Sequence, residues 1–447
     1  VPQVINYIVA NKTKLNINYT FTREDFAEVD WVEETKLLGQ LLFETGVLFE
    51  DNNLDSLSDI LLFFNHKHYT DSILYTNENA NQLVKVLDVA VDSKLVKAVA
   101  VVGFEFALNL AKDKGFDITF LSGKLNSDQL VNDLGVVVEI AQNAIDFGAV
   151  EYFATQNISN IDTTYVANIV ASLEKLNVLT CAQPEWTALV VSKVAPLLKL
   201  DVNVMVDNYK FIDYANENAL LQEAVLLIGE LLGNENIQSI DDIKHFIANK
   251  DYLNINAYND RAIANAQDLL LLVAESDILG VHLVELFEYA ASIVSTKTKF
   301  DISFVNDVFT TPELQDDIKK LVEISDYLVE FGIVDLIFTG DVVINLDPVI
   351  EAVKLLEEVN LLYKTNDYIA EIVYNLVLPK LGIKEQVSVD DFKYINFANE
   401  NSVLVSVLEE VKVLLAAEDF VTVSDVVSFV KNREYLYSDK YEQTFNN

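Results

Sequence analysis

The sequence is poor in the residues from which most active centres are assembled. It has one cysteine and four histidines in 447 residues. A lone cysteine, Cys181, excludes an intramolecular disulfide and a thiolate metal cage. Four histidines, His66, His68, His245 and His282, leave little material for an imidazole-held zinc or iron centre. Glycine and proline are scarce too, 13 and 6. No flexible Gly/Ser linker separates modules, so neighbouring modules are expected to pack closely.

Basic residues are outnumbered, 31 Lys and Arg against 70 Asp and Glu, for a formal net charge of −39. Phosphate backbones are bound by clustered Lys and Arg, so nucleic acid is not an expected partner. The same imbalance disfavours anionic lipid. It fits a self-repelling surface with weak, diffuse attraction for calcium or other divalent cations, and no other cofactor is expected. No apolar run reaches the ~18 residues of a membrane span. The richest, LVKAVAVVGFEFALNLAK, is broken by Lys97 and Glu105, so membrane insertion is not expected. No signal peptide is recognisable, and the opening VPQV is expected to be a cut or processed end.

What the sequence does have is repetition. FIDYANENALL at 211–221 returns as YINFANENSVL at 394–404. SDILLFFNHKHY (58–69), DDIKHFIANKDY (241–252) and SDVVSFVKNREY (424–435) share one pattern. Asp59, Asp242 and Asp425 stand 183 apart each time, as do Phe63, Phe246 and Phe429, and Tyr69, Tyr252 and Tyr435. Short alternating segments mark the unit starts: LNINY at 15, FDITF at 116, LDVNV at 200, FDISF at 300 and EQVSV at 385. Long and short half-units thus alternate. The expected organisation is a fragment at 1–14, long half-units at 15–115 and 200–299, short ones at 116–199 and 300–384, and an incomplete long one at 385–447. The short halves match in IDFGAVEYF (145–153) and VEFGIVDLI (329–337), and in SLEKLNVL (172–179) and LLEEVNLL (355–362).

The apolar spacing within a unit is helical. Leu314, Ile318, Leu321, Ile324, Leu328 and Phe331 predict a helix over 313–331, with Pro312 in its first turn and Gly332 at its end. Segments 259–276, 279–296, 347–360 and 367–380 predict helices by the same test. Ser58, Asp241 and Ser424 are read as caps of a short extra helix in the long half. The FDITF-type segments alternate and predict short strand-like or extended stretches. The expected fold is therefore mainly α: a tandem, solenoid-like helical repeat with short extended segments between units.

Candidate chemistry is thin against this background. Asp146–Gly148 spells DFG, a kinase metal-binding string, but its twin at 330–332 is EFG and no phosphate loop accompanies it. It reads as a helix end. His66 and His68 form a conceivable metal pair, yet Asn249 and Asp251, then Asn432 and Glu434, stand at the equivalent positions. Residues 51–59, DNNLDSLSD, open like a calcium loop but place Leu62 where the bidentate Glu belongs. Glu33–Glu34, Asp241–Asp242 and Asp390–Asp391 are adjacent acids, which do not face each other on a helix. Cys181 reads as a small core residue. No catalytic, cofactor-binding or metal-ligating residue is assigned.

The two ends look complementary. YIVANKTKLNINY (7–19) matches SIVSTKTKFDISF (292–304), so the first residues belong to the last helix of a unit that the last residues leave unfinished. The expectation is a non-enzymatic structural protein, a subunit or excerpt of a head-to-tail surface filament or array that binds its own kind. The alternative is an adhesin or scaffold using one side of the helical array. The repeated phrases are similar in style to those of large bacterial surface repeat proteins, which implies an extracellular or cell-surface location and no functional residue.

Overall fold

The computed structural model describes residues 20–66, 68, 71, 74–113, 115–198, 200, 202–251, 259–297, 302–381, 386–417 and 420–432. The stretch 7–19, the fragment 1–14, and Tyr69, Tyr252 and Tyr435 lie outside the described residues. Among those described the chain is mainly helical, with 20 α-helices and almost no strand. It divides into two compact units, residues 1–193 with 204–251, and residues 194–203 with 252–447.

The first unit carries α1 (Trp31–Asp51), α2 (Leu57–Asn65), α3 (Asn77–Val91), α4 (Lys94–Asp113), α5 (Ser127–Phe147), α6 (Ala149–Thr155), α7 (Thr163–Leu173), α8 (Asn177–Thr180), α9 (Gln183–Val194), α10 (Tyr214–Asn234) and α11 (Ile240–Asn249). Its long helices pack in chain order: α1 on α3, α3 on α5, α5 on α7 and α7 on α10. The inner helices α3, α5 and α7 thus each meet two neighbours. The core is correspondingly distributed. Phe21, Phe26 and Val29 pack on Leu95, Ala98, Val99 and Val102 of α4. Leu108, Leu121 and Ala182 gather Phe104, Phe120 and Trp186. The last two rings meet edge to face at 5.3 Å, a favoured aromatic geometry.

The second unit carries α12 (Asp260–Glu275), α13 (Asp277–Val281), α14 (Leu283–Lys297), α15 (Thr311–Phe331), α16 (Ile333–Thr339), α17 (Leu346–Leu355), α18 (Asn360–Val377), α19 (Phe397–Ala417) and α20 (Val423–Lys431). Here α12 packs on α15, α15 on α17 and α17 on α19. Leu283, Ala291, Val305, Phe309 and Leu314 form one buried cluster, and Ile324, Ala352 and Val359 another.

Local signals explain the helix ends. The Glu313 carboxylate accepts from the Thr310 amide and hydroxyl, both at 3.0 Å, and Pro312 sits in the first turn of α15. Gly332 and Gly148 end α15 and α5 in the left-handed region, at φ +85° and +103°. The helix expected over 279–296 is broken at His282 into α13 and α14. The one expected over 347–360 stops at Leu355, followed by a 3-10 turn at Leu356–Glu358. That expected over 367–380 starts earlier, at Asn360, and kinks at Thr365.

Two expectations are corrected. The described residues of the FDITF-type segments do not pair as strands. They are irregular and run into short 3-10 turns at Thr119–Leu121, Val206–Tyr209, Ser303–Val305 and Val389–Asp391. A lone extended segment would leave its ladder groups unpaired, whereas a turn satisfies them locally. Each turn, or the residue just after it, supplies a buried anchor: Leu121, Tyr209, Val305 or Phe392. Nor do Ser58, Asp241 and Ser424 cap the short helices. The caps are Ser56, Ser239 and Thr422, two residues earlier. Three residues after each stands Asp59, Asp242 or Asp425, the spacing a reciprocal capping box requires.

Candidate interaction surface

Helix register in each unit is held by buried carboxylates. Asp133 of α5 accepts from the Asn177 amide at 2.6 Å, its side-chain Nδ2 at 2.8 Å and the Val178 amide at 2.8 Å. Asp317 of α15 does the same with Asn360 N at 2.6 Å, Asn360 Nδ2 at 2.9 Å and Leu361 N at 2.8 Å. Glu34 of α1 accepts from Ser93 Oγ at 2.7 Å, Lys94 N at 2.5 Å and Leu95 N at 3.2 Å. In all three cases the carboxylate of one helix meets the unpaired amides at the N-terminus of another. Dipole and hydrogen bonding act together there.

Main-chain ties join loops in the same two registers. Ile161 N donates to Gln238 O and Ile240 N to Ile158 O in the first unit. Ile344 N donates to Val421 O and Val423 N to Val342 O in the second. The Asp341 carboxylate also accepts from Ser424 N at 2.9 Å, and this bond holds its carboxyl below the usual range.

These anchors fix which faces of the long helices stay open. Helix α10 lies so close to α7 that a Cβ on Gly229 would stand 1.9 Å from Thr163 Oγ1. In the second unit Lys412 of α19 pairs with Asp347 of α17, and Asn401 Nδ2 donates to Val353 O at 2.9 Å and to Glu357 at 3.1 Å. Lys412 stands 183 positions after Gly229, and Gly46 of α1 183 before it. A Cβ on Gly46 would meet nothing within 4 Å.

Helix α1 therefore exposes the face that α10 and α19 bury. On that face Leu42 is 65% exposed, whereas its equivalents Val225 of α10 and Leu408 of α19 are partly covered. Its covered face bears Glu34, Leu37, Leu41, Glu44 and Leu48. There Gln82 Nε2 of α3 donates to both Glu44 O and Glu44 Oε2 at 2.7 Å. Helix α19 is the inverse. An apolar groove on its exposed side is lined by Ser402, Val403, Ser406, Val407, Glu410, Val411 and Leu414.

The candidate chemical residues are dispersed among structural tasks. Cys181 is half-buried beside Leu121, its Sγ 3.8 Å from Val178 O, and burial pushes its thiol up. Asp146–Gly148 is the end of α5. The His66 and His68 rings stack at 5.8 Å, but His66 Nδ1 lies 3.1 Å from Leu62 O and His68 Nδ1 3.0 Å from Asp71. In the 51–59 loop Asn52 exchanges amide hydrogen bonds with Asn79, and Asp59 closes a cap. Each adjacent acid pair is split between partners. Glu33 pairs with Lys36 while Glu34 is buried, Asp241 pairs with Lys244 while Asp242 caps, and Asp390 pairs with Lys393 while Asp391 caps Ser388. Among the described residues no group of three or more His, Cys, Asp or Glu side chains is placed to hold a metal, and no helix is long and apolar enough to cross a membrane.

Sequence reasoning missed the buried carboxylates and two exposed rings. Phe211 and Tyr394, 183 apart, are 94% and 95% exposed. The signal for the rings was present: an aromatic before the cap, outside the helical stripe. Comparison of the chain with protein-family models, with curated proteins and with solved structures returned no match.

Proposed function

We propose that this chain is a non-enzymatic structural protein, a solenoid-like stack of helical units whose copies associate end to end into a filament or array. The supporting observation is the pair of exposed apolar faces on α1 and α19. Isolated apolar side chains on a surface need no explanation, but a contiguous helical stripe marks a contact. Trp31, Leu38 and Leu42, at i, i+7 and i+11, form one such stripe, and Val403, Val407 and Leu414 the other. Because the two stripes lie on different helices, the contact is heterologous and propagates copy to copy. The repeated carboxylate latches support the stack, since Asp133 and Asp317 join equivalent helices by the same three bonds. Light scattering at micromolar concentration, with negative-stain imaging, tests the reading. Concentration-dependent growth into linear particles is expected, and a strictly monomeric species overturns it.

A binding module is the second reading, favoured by Phe211 and Tyr394. Two rings so exposed at matched positions suit contact with another molecule, because aromatic side chains bring much area at little entropy cost. Retention on immobilised peptide and glycan panels, lost on Phe211→Ser or Tyr394→Ser, supports it. Retention unchanged by both substitutions, or no retention at all, removes it.

A further inference from the structure

We infer that the exposed face of α19 is a seat for the α3–α4 corner of a second copy of this chain, the corner that α1 covers in its own copy. The inference rests on the end-to-end reading above and specifies its joint. Helices α1 and α19 stand at equivalent sequence positions, two strides of 183 apart. On α1 the face laid against α3 is Glu34, Leu37, Leu41, Glu44 and Leu48. At the same positions α19 has Glu400, Val403, Val407, Glu410 and Leu414. Both carboxylates recur in register, and all three apolar positions stay aliphatic.

Those carboxylates have defined partners where α1 is concerned. Glu44 takes the Gln82 amide of α3, and Glu34 takes Ser93 Oγ with the first amides of α4. A surface that offers Gln82 beside Ser93 Oγ and the first two amides of α4 is thus complementary to a helix carrying two acids ten residues apart with aliphatic residues between them. Helix α19 presents that arrangement to solvent. Its opposite face is already occupied by α17 through Asn401 and Lys412, so docking disturbs nothing within its own unit.

For the seat to be filled, α1 of the second copy gives way to α19 of the first. Such an exchange replaces one contact by another of the same chemistry and costs little. Leu37 and Leu41 are replaced by the smaller Val403 and Val407, and α1 is tethered to its own corner, so the intramolecular contact wins in dilute solution. Self-association then grows with concentration.

Sedimentation velocity over a concentration series distinguishes this joint from direct apposition of the α1 and α19 faces. Val407 and Leu42 are both exposed, so Val407→Asp and Leu42→Asp leave the fold intact, which circular dichroism verifies. The expected result is loss of the faster-sedimenting species with Val407→Asp and its retention with Leu42→Asp. If both substitutions abolish it, the two faces meet directly: the exchange is overturned and the end-to-end reading stands. If Val407→Asp leaves association unchanged while Leu42→Asp removes it, the seat on α19 is likewise overturned. If neither has an effect, or the parent chain stays monomeric throughout, both the seat and the end-to-end reading fall.

Discussion

The Asp317 carboxylate lies 2.6 Å from the backbone nitrogen of Asn360, the same distance that separates Asp133 from the nitrogen of Asn177. Each aspartate is nearly inaccessible, 3% and 6% exposed. Each closes a helix N-terminus that would otherwise bury unpaired amides. Removing the acceptor is costlier than removing a surface ion pair, because the donors stay behind without water.

Asp317→Ala is therefore expected to destabilise the chain by about 2–3 kcal/mol, the scale for charged hydrogen bonds with stranded partners. Asp133→Ala should behave alike. Asp317→Asn, which keeps one acceptor oxygen, should cost less. Chemical denaturation followed by circular dichroism measures all three, and a loss under about 0.5 kcal/mol for the alanine variants refutes the latch.

Gly229 and Gly46 occupy one helical register in opposite surroundings. Gly229→Ala forces a methyl onto Thr163, so α10 must shift from α7, at a cost of about 1–3 kcal/mol for overpacking. Gly46→Ala meets open space and should gain up to about 1 kcal/mol of helix propensity. Thermal melts of the two single variants should move in opposite directions.

Acid should loosen the short helices at their starts. The Ser239 side chain and the Gln238 amide hold the Asp242 carboxyl below its ordinary range, and the Thr422 and Val421 amides do so for Asp425. A lowered folded-state pKa means that the stabilisation is complete above the unfolded value, near pH 4, and is lost as pH falls through the lowered one. Amide exchange in the first turns of α11 and α20 should stay slow from neutral pH down to about 4 and accelerate below it, after correction for intrinsic rates. Asp242→Asn and Asp425→Asn should remove that acid step.

Cys181 should resist modification in the folded chain. The thiolate is the reactive form, and burial disfavours it. A thiol-reactive dye at pH 8 should label Cys181 slowly in buffer and rapidly in denaturant. Equal rates in both would place the thiol outside the core.

The helix ends were legible because their signals are local. Gly148 and Gly332 were read as helix ends from sequence alone, and both take the left-handed backbone that glycine favours. The capping aspartates were legible as a pattern, but the cap itself was misplaced from Ser239 to Asp241 because both residue types cap helices. Asp133 was not legible. Its partner Asn177 is 44 positions away, and one more acid in a chain with 70 acidic residues carries no mark of burial.

By itself the sequence determined the stride of 183, the helical character of each segment and the ends of several helices, because periodicity, glycine and capping spacing act within a few turns of chain. Only the tertiary structure decided that the described alternating segments run into 3-10 turns rather than pair as strands, and which face of α1 and of α19 is left open. Those outcomes depend on what lies beside a segment in space. A strand needs a neighbouring edge, and a helix stripe is buried only where a second helix arrives to cover it.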